Sequence, residues 1–106
     1  MTERQDSEWI VEFLKALANP LRLAIVELLV GQELCQCDIG KYLDGPQSVI
    51  STYLNQLVRT GILVMRRDGT RKLYRIADPA IVDIIARLRE LTRQRTVRGQ
   101  GQTETQ

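Results

Sequence analysis

ELCQCDIGKYLDGPQSVISTYLNQL, residues 33–57, decides the fold. Ile39 and Leu43 lie four residues apart, and Ile50, Leu54 and Leu57 follow at spacings of four and three. That periodicity predicts two short helices, each burying one face. Asp44-Gly45-Pro46 makes the turn between them, with Pro46 suited to begin the second helix. The second helix leaves Gln47, Ser48, Ser51, Thr52, Asn55, Gln56 and Arg59 on its other side. Short polar side chains of this kind enter a DNA major groove without holding the backbone off the base edges, as a helix-turn-helix requires.

The first helix of the pair opens on a different chemistry. Cys35-x-x-Asp38 has the spacing of a capping box, with cysteine in the serine place and aspartate in the glutamate place, so Cys35 is the expected cap and Cys37 falls in the first turn. Helix N-termini favour anions, which makes both cysteines better thiolates than a free cysteine. Glu33-Leu34, just before them, is expected to supply a short strand that pairs with a later hairpin.

Downstream, Ile62–Arg67 and Arg71–Ile76 are β-rich runs joined by Asp68-Gly69-Thr70, a hairpin signal. Arg66, Arg67, Arg71 and Lys72 cluster around its tip, which makes the hairpin a wing in the DNA-binding sense. Asp78-Pro79 caps a last helix whose apolar stripe, Ile81, Ile84, Ile85, Leu88 and Leu91, exceeds what one short chain can cover. Arg87, Arg89, Arg93, Arg95 and Arg98 crowd its later half. Upstream, Asp6-Ser7-Glu8 is the expected cap of a first helix bearing Ile10, Phe13, Leu14 and Leu17. Asn19-Pro20 opens a second helix with Leu21, Ala24, Ile25, Leu28 and Leu29 inward, closed by Gly31.

The expected fold is therefore mainly α with a β-hairpin wing, in the order α-α-α-α-β-β-α with a short strand before helix three. One winged helix-turn-helix domain is expected over residues 8–95, between a flexible N-terminus at 1–7 and a disordered tail at 96–106. A homodimer is expected to cover Ile10, Phe13 and Leu14 of the first helix and Ile81, Ile84, Ile85 and Leu88 of the last.

Composition narrows the function classes. Of 106 residues, 43% are hydrophobic and 26% charged, ordinary values for a soluble globular chain. No apolar run suits a membrane span and the first residues do not suit a signal sequence, so a cytoplasmic protein with no membrane partner is expected. The net charge of +2 hides an asymmetry: residues 1–58 carry 4 basic and 8 acidic side chains, whereas residues 59–98 carry 11 basic and 4 acidic. A basic half suggests a polyanionic partner. The chain has two cysteines and no histidine. Without imidazole the usual general base, the Ser-His and Cys-His nucleophile pairs and the commonest metal ligand are missing, so an enzyme is the poorest fit. Two thiols one residue apart in a reducing compartment are expected to stay free rather than form a structural disulfide.

The phrase Leu17-Ala18-Asn19-Pro20-Leu21-Arg22-Leu23-Ala24-Ile25, the Cys35-x-Cys37-Asp38 start and the element order together resemble the ArsR/SmtB-type repressors of arsenical resistance. The likeness extends over about residues 8 to 95. Gln47-Ser48-Val49-Ile50-Ser51-Thr52-Tyr53-Leu54-Asn55-Gln56-Leu57 looks like the family's recognition helix, with Tyr53 replacing a common histidine. The resemblance implies a dimer joined through its first and last helices that covers a promoter and releases it when an inducer binds. It also implies inducer chemistry at Glu33–Asp38, with Gly40 standing where the family's third cysteine would be.

These readings assign Gln47, Ser48, Ser51, Thr52 and Asn55 to base edges or neighbouring phosphates of a pseudopalindromic double-stranded operator. Tyr53 is open between a phosphate or stacking contact and inward packing. Arg59, Arg66, Arg67, Arg71 and Lys72 are expected mainly on phosphates. Cys35 and Cys37 are the metal-site candidates. No permanent cofactor is expected; the inducer class is a soft ion such as As(III), methylated As(III) or Hg(II). Binding there would pull on helix three and tilt the recognition helix through the intervening turn. The alternatives are a thiol redox sensor using the same cysteines, a DNA-binding protein that senses nothing and keeps them as cap and filler, and a protein-interaction module built on the same fold.

Overall fold

A computed structural model describes residues 2–101, with side chains described through Arg95. Helix α1 spans Glu3–Leu17. The Thr2 hydroxyl accepts the Gln5 backbone N–H at 3.1 Å, and the Gln5 side-chain carbonyl accepts the Thr2 N–H at 2.9 Å. This reciprocal box satisfies the free N–H groups upstream of Asp6-Ser7-Glu8, so residues 3–7, expected to be a flexible lead, form the start of the helix. Helix α2, Pro20–Leu28, starts where expected: Asn19 Oδ1 accepts from the N–H groups of Leu21 at 2.9 Å and Arg22 at 3.0 Å. Gly31, at φ 77°, takes the left-handed turn after it.

Strand β1 is a short piece at Leu34–Cys35, one residue later than the Glu33-Leu34 expected, so the cap residue Cys35 is also its last residue; α3 follows at Gln36–Tyr42. Helix α4 spans Gln47–Thr60, with Pro46 as its cap residue rather than its first helical one. Gly61 closes α4 at φ 90°, and Ile62 N–H reaches back to the Leu57 carbonyl at 3.0 Å, the left-handed ending that favours glycine. Strands β2, Leu63–Asp68, and β3, Arg71–Ile76, form the wing. Their register ends on Asp68 opposite Arg71, so the loop is Gly69-Thr70 alone. Of these two residues only Gly69 has positive φ, at 65°, which makes a two-residue hairpin turn with glycine first; Asp68, expected in the turn, is a strand residue.

The sheet order is β1-β3-β2, all antiparallel, with Leu34 opposite Tyr74 and Cys35 opposite Leu73. Helix α5 begins at Pro79, where Asp78 Oδ1 accepts the Ala80 N–H at 2.8 Å, and continues through Gly101. The tail expected to be disordered from residue 96 is thus helical to 101, and residues 102–106 lie outside the described part.

The core gathers Phe13 from α1, Ile25, Val26 and Leu29 around α2, Ile39 from α3, Ile50, Leu54 and Leu57 from α4, Leu63 and Tyr74 from the wing, and Ile81 and Ile85 from α5. Phe13, Ile81 and Ile85, expected on a dimer face, are buried inside the protomer, because α1 packs onto α2 and α4 and the first turns of α5 pack onto β3. Ile10, Leu14, Ile84 and Leu88 remain exposed, and Trp9 and Leu91 join them. Among the described residues no helix is long and apolar enough to cross a membrane.

Candidate nucleic-acid interface and the adjoining cysteine pair

Helix α4 is anchored by Ile50, Leu54 and Leu57, each fully buried. Its other side presents Gln47, Ser48, Thr52, Asn55 and Arg59 to solvent, with Ser51 half-buried at the edge. The Thr52 hydroxyl donates to the Ser48 carbonyl at 3.0 Å, so its proton is already committed within the helix. Of the two roles open to Tyr53, the structure supports inward packing. Its ring rests against the core, and its hydroxyl accepts from Asn19 Nδ2 at 3.4 Å.

Arg22, inside the Leu17–Ile25 phrase, acquires a role that periodicity and spacing do not give it. Its guanidinium lies 4.7 Å from the centre of the Tyr53 ring. Nε donates to the Ala16 carbonyl at 2.7 Å, Nη2 to the Lys15 carbonyl at 3.2 Å and Nη1 to Gln56 Oε1 at 3.0 Å. One planar cation therefore ties the end of α1 to two residues of α4, a use of the arginine fork that lysine cannot copy. Three acceptors and one ring brought together from residues 15 to 56 are visible only in three dimensions.

On the wing, Arg66 makes a two-pronged ion pair with Glu33, Nε to Oε2 at 2.9 Å and Nη2 to Oε1 at 2.8 Å. The hydrogen bond from Arg66 holds the Glu33 carboxyl below its usual pKa. The donors expected on phosphate are thus engaged with the residue just before β1. Arg67, Arg71 and Lys72 are exposed and make no salt bridge among the described residues.

The cysteines divide: Cys35 is 2% exposed, whereas Cys37 is open to solvent. Cys35 caps α3 as anticipated, its sulfur accepting the Asp38 N–H at 3.3 Å. The two are joined as a disulfide rather than free. The first helical turn brings Cys37 back over the extended cap residue at a Cα separation of 5.4 Å, within the range of about 4.4–6.8 Å that a bridge spans. The two sulfurs and an Asp38 carboxylate oxygen all lie within 4.8 Å of one another. Cys35 sits opposite Leu73 and belongs to the wing's own sheet, whereas Cys37 belongs to α3, so the pair links the two.

A cleft of about 370 Å³ joins the two sites. Cys35, Gln36 and Cys37 form one side, Gln47 and Ser51 of α4 another, and Thr70, Arg71 and Lys72 of the wing the third. Gly40 helps to shape it: a Cβ there would fall 2.0 Å from Gln47 Nε2. The Gln47 amide thus occupies the space over position 40.

This arrangement has relatives. A family model described as bacterial regulatory protein, arsR family, matches residues 19–63, from the α2 cap through the first residue of the wing. An uncharacterised HTH-type transcriptional regulator of Methanocaldococcus jannaschii is 39% identical over 85 residues, covering 79% of this chain and 96% of the relative. The chain belongs to the arsR family of bacterial regulatory proteins. The arsenical resistance operon repressor of Staphylococcus aureus is 33% identical over 75 residues, covering 71% of this chain and 72% of that one. Among solved structures, the homodimeric winged helix-turn-helix DNA-binding domain of a possible ArsR-family regulator from Mycobacterium bovis superposes with a TM-score of 0.78. It shares 28% identity over 89% of both chains. The resemblance drawn from the Leu17–Ile25 phrase is thereby a family membership, the fold is a winged helix-turn-helix, and the family is one of transcriptional regulators, not enzymes.

Proposed function

We propose that this arsR-family protein is a cytoplasmic, homodimeric transcriptional repressor that holds a pseudopalindromic operator and releases it when a thiophilic metal or metalloid, arsenic class first, binds Cys35 and Cys37. The observation that carries the reading is the cleft in which the cysteine pair, the start of α4 and the wing tip meet. Ser48, Asn55 and the edges of Ser51 and Thr52 reach base edges or adjacent phosphates. Gln47 contributes when its amide leaves Gly40. Arg59, Arg67, Arg71 and Lys72 contact phosphate, with Arg66 joining them only when it leaves Glu33. The exposed strip of Ile10, Leu14, Ile84 and Leu88 supports a dimer through the first and last helices. The two copies of α4 then enter successive major grooves about 34 Å apart.

The donor set suits soft ions once the disulfide is reduced. Two thiolates satisfy linear Hg(II), or a methylated trivalent arsenical whose third bond is already carbon. Inorganic arsenite would need a third sulfur from a small thiol, since position 40 holds no side chain and the Gln47 amide stands over it. Signal can leave the site by two routes: through the Asp44-Gly45-Pro46 turn into α4, and through β1 and the Glu33–Arg66 pair into the wing. Coupling of about 1–3 kcal/mol would weaken DNA binding roughly 5- to 150-fold. Fluorescence anisotropy on operator DNA, with reduced wild type and the Cys35→Ser/Cys37→Ser double variant, tests this. Release of the wild type alone by methylarsenite, arsenite or Hg(II) is expected, and equal release of both proteins overturns the ion reading.

The disulfide favours a second reading, a thiol redox switch. It is separated from the first by comparing DNA affinity of the oxidised and reduced wild type without any ion.

A further inference from the structure

The cleft holds more than an ion needs. Its volume of about 370 Å³ compares with about 30 Å³ for one water molecule in the liquid, so it admits a molecule of many atoms. One side offers sulfur chemistry, with Cys37 exposed and Cys35 buried behind it. The facing side offers two cations, Arg71 and Lys72, that make no salt bridge among the described residues. Between them Gln47 and Ser51 supply neutral hydrogen-bonding groups. The geometry points to Cys37 as the attachment site of a small carboxylate-bearing thiol, held as a mixed disulfide with its carboxylates against Arg71 and Lys72. The inference rests on the DNA-binding reading for its consequence only, and not on the ion reading.

The exchange balances with what the structure holds. A thiolate RS⁻ attacks Sγ of Cys37, the accessible sulfur of the pair. The Cys37–Cys35 bond breaks, and Cys35 leaves as a thiolate with the bond's electron pair, keeping its hydrogen bond from the Asp38 N–H at 3.3 Å. The proton of RSH goes to solvent. One S–S bond forms and one breaks, so no outside oxidant is consumed. Attack by Cys35 in reverse expels the thiol, and occupancy follows thiol concentration and the contacts made in the cleft. Reduced Cys37 reaches the same adduct by attacking a small-molecule disulfide, whose other half leaves as a thiolate. An adduct in this position covers Gln47 and Ser51 and neutralises Arg71 and Lys72, so it and DNA exclude one another.

Cys35→Ser isolates the step, because serine keeps the cap and removes the reverse attack. The variant is treated with oxidised glutathione, an anionic disulfide, or with cystamine, a cationic one, and adduct formation is followed by intact mass. Each rate is divided by that of N-acetylcysteinamide, a thiol with no charged group beside its sulfur, with the same reagent to cancel intrinsic reactivity. The normalised rate for glutathione disulfide is expected to exceed that for cystamine by about tenfold or more at low salt. Adding Arg71→Glu/Lys72→Glu, both at exposed positions, should reverse the preference. Equal normalised rates, or a preference unchanged by the charge reversal, overturn the site. The glutathione adduct is expected to bind DNA at least about tenfold more weakly than unmodified Cys35→Ser, and equal affinity overturns the exclusion. Failure of unmodified Cys35→Ser and wild type alike to bind DNA refutes the DNA-binding reading instead, leaving the site to be judged by the exchange rates.

Discussion

Arg22→Met removes the cation that binds α1 to α4 while keeping an unbranched apolar stem. Four partners are released: the carbonyls of Ala16 at 2.7 Å and Lys15 at 3.2 Å, Gln56 Oε1 at 3.0 Å, and the Tyr53 ring at 4.7 Å. The Lys15 carbonyl is exposed and water replaces the arginine there, so it counts for nothing. The two part-buried hydrogen bonds contribute about 1 kcal/mol each and the cation–π interaction about 0.5 kcal/mol, roughly 2.5 kcal/mol together. At about 4–8 °C per kcal/mol for a domain of this size, the midpoint of thermal unfolding should fall by about 10–20 °C. Urea unfolding at one fixed protein concentration, which holds any dimer contribution constant, should show a lower midpoint with an unchanged slope. Arg22→Lys should recover less than half, since one ammonium cannot span these acceptors. A double-mutant cycle with Gln56→Ala should return a coupling of about 0.5–1 kcal/mol. A destabilisation below about 0.5 kcal/mol for Arg22→Met would refute the reasoning, because the recognition helix would then be positioned without this tie.

Leu54→Ala empties a fully buried position under α4 and should cost about 3 kcal/mol, read as a lowered urea midpoint. The side chain of Arg89 on α5 pairs with Glu27 on α2, its Nη2 bonding Glu27 Oε1 at 2.6 Å, and the hydrogen bond from Arg89 lowers the Glu27 pKa below 4.5. A depressed carboxylate contributes stability that is present above its unfolded pKa and lost as pH falls through the folded one. The gap between wild type and Glu27→Gln should therefore be about 0.5 kcal/mol near neutral pH and shrink as pH falls below the usual carboxylate range, followed by urea unfolding at neutral and acid pH. Arg71→Ala should reduce the slope of log affinity against log salt by about 0.9 for each phosphate that the side chain no longer neutralises, and an unchanged slope would place Arg71 off the DNA.

Much of this was legible in residues 33–57, because buried and exposed positions on a helix separate at a fixed spacing. Ile39, Ile50, Leu54 and Leu57 are buried where that spacing put them, and Cys35 caps α3 where the box spacing put it. A short strand before α3 was legible too, although it lies at Leu34–Cys35 rather than Glu33-Leu34 and its partner residues in β3 were not legible. What stayed hidden depended on groups far apart in sequence. Arg66 resembles any other phosphate-binding arginine until Glu33, 33 residues away, is seen to take its donors. Phe13 shares a stripe of α1 with Ile10 and Leu14, and Ile81 and Ile85 share one of α5 with Ile84 and Leu88; periodicity alone cannot say which part of each stripe meets its own core and which meets a second copy. Thr2 is hidden as a cap because Asp6-Ser7-Glu8, farther along, carries the stronger signal. Compartment chemistry argues against the disulfide, whereas the local backbone brings the two Cα atoms to bridging distance.

The central claim is that two copies of α4, each with its wing, read one symmetric DNA sequence. The most direct measurement is selection from a random double-stranded library by the purified full chain, followed by sequencing. The expected result is enrichment of an imperfect palindrome whose half-site centres lie about 10 base pairs apart, or a multiple of that, and loss of the enrichment in Ser48→Ala/Asn55→Ala. A protein that binds the library without enriching any symmetric sequence, or that enriches the same one after both substitutions, would contradict it.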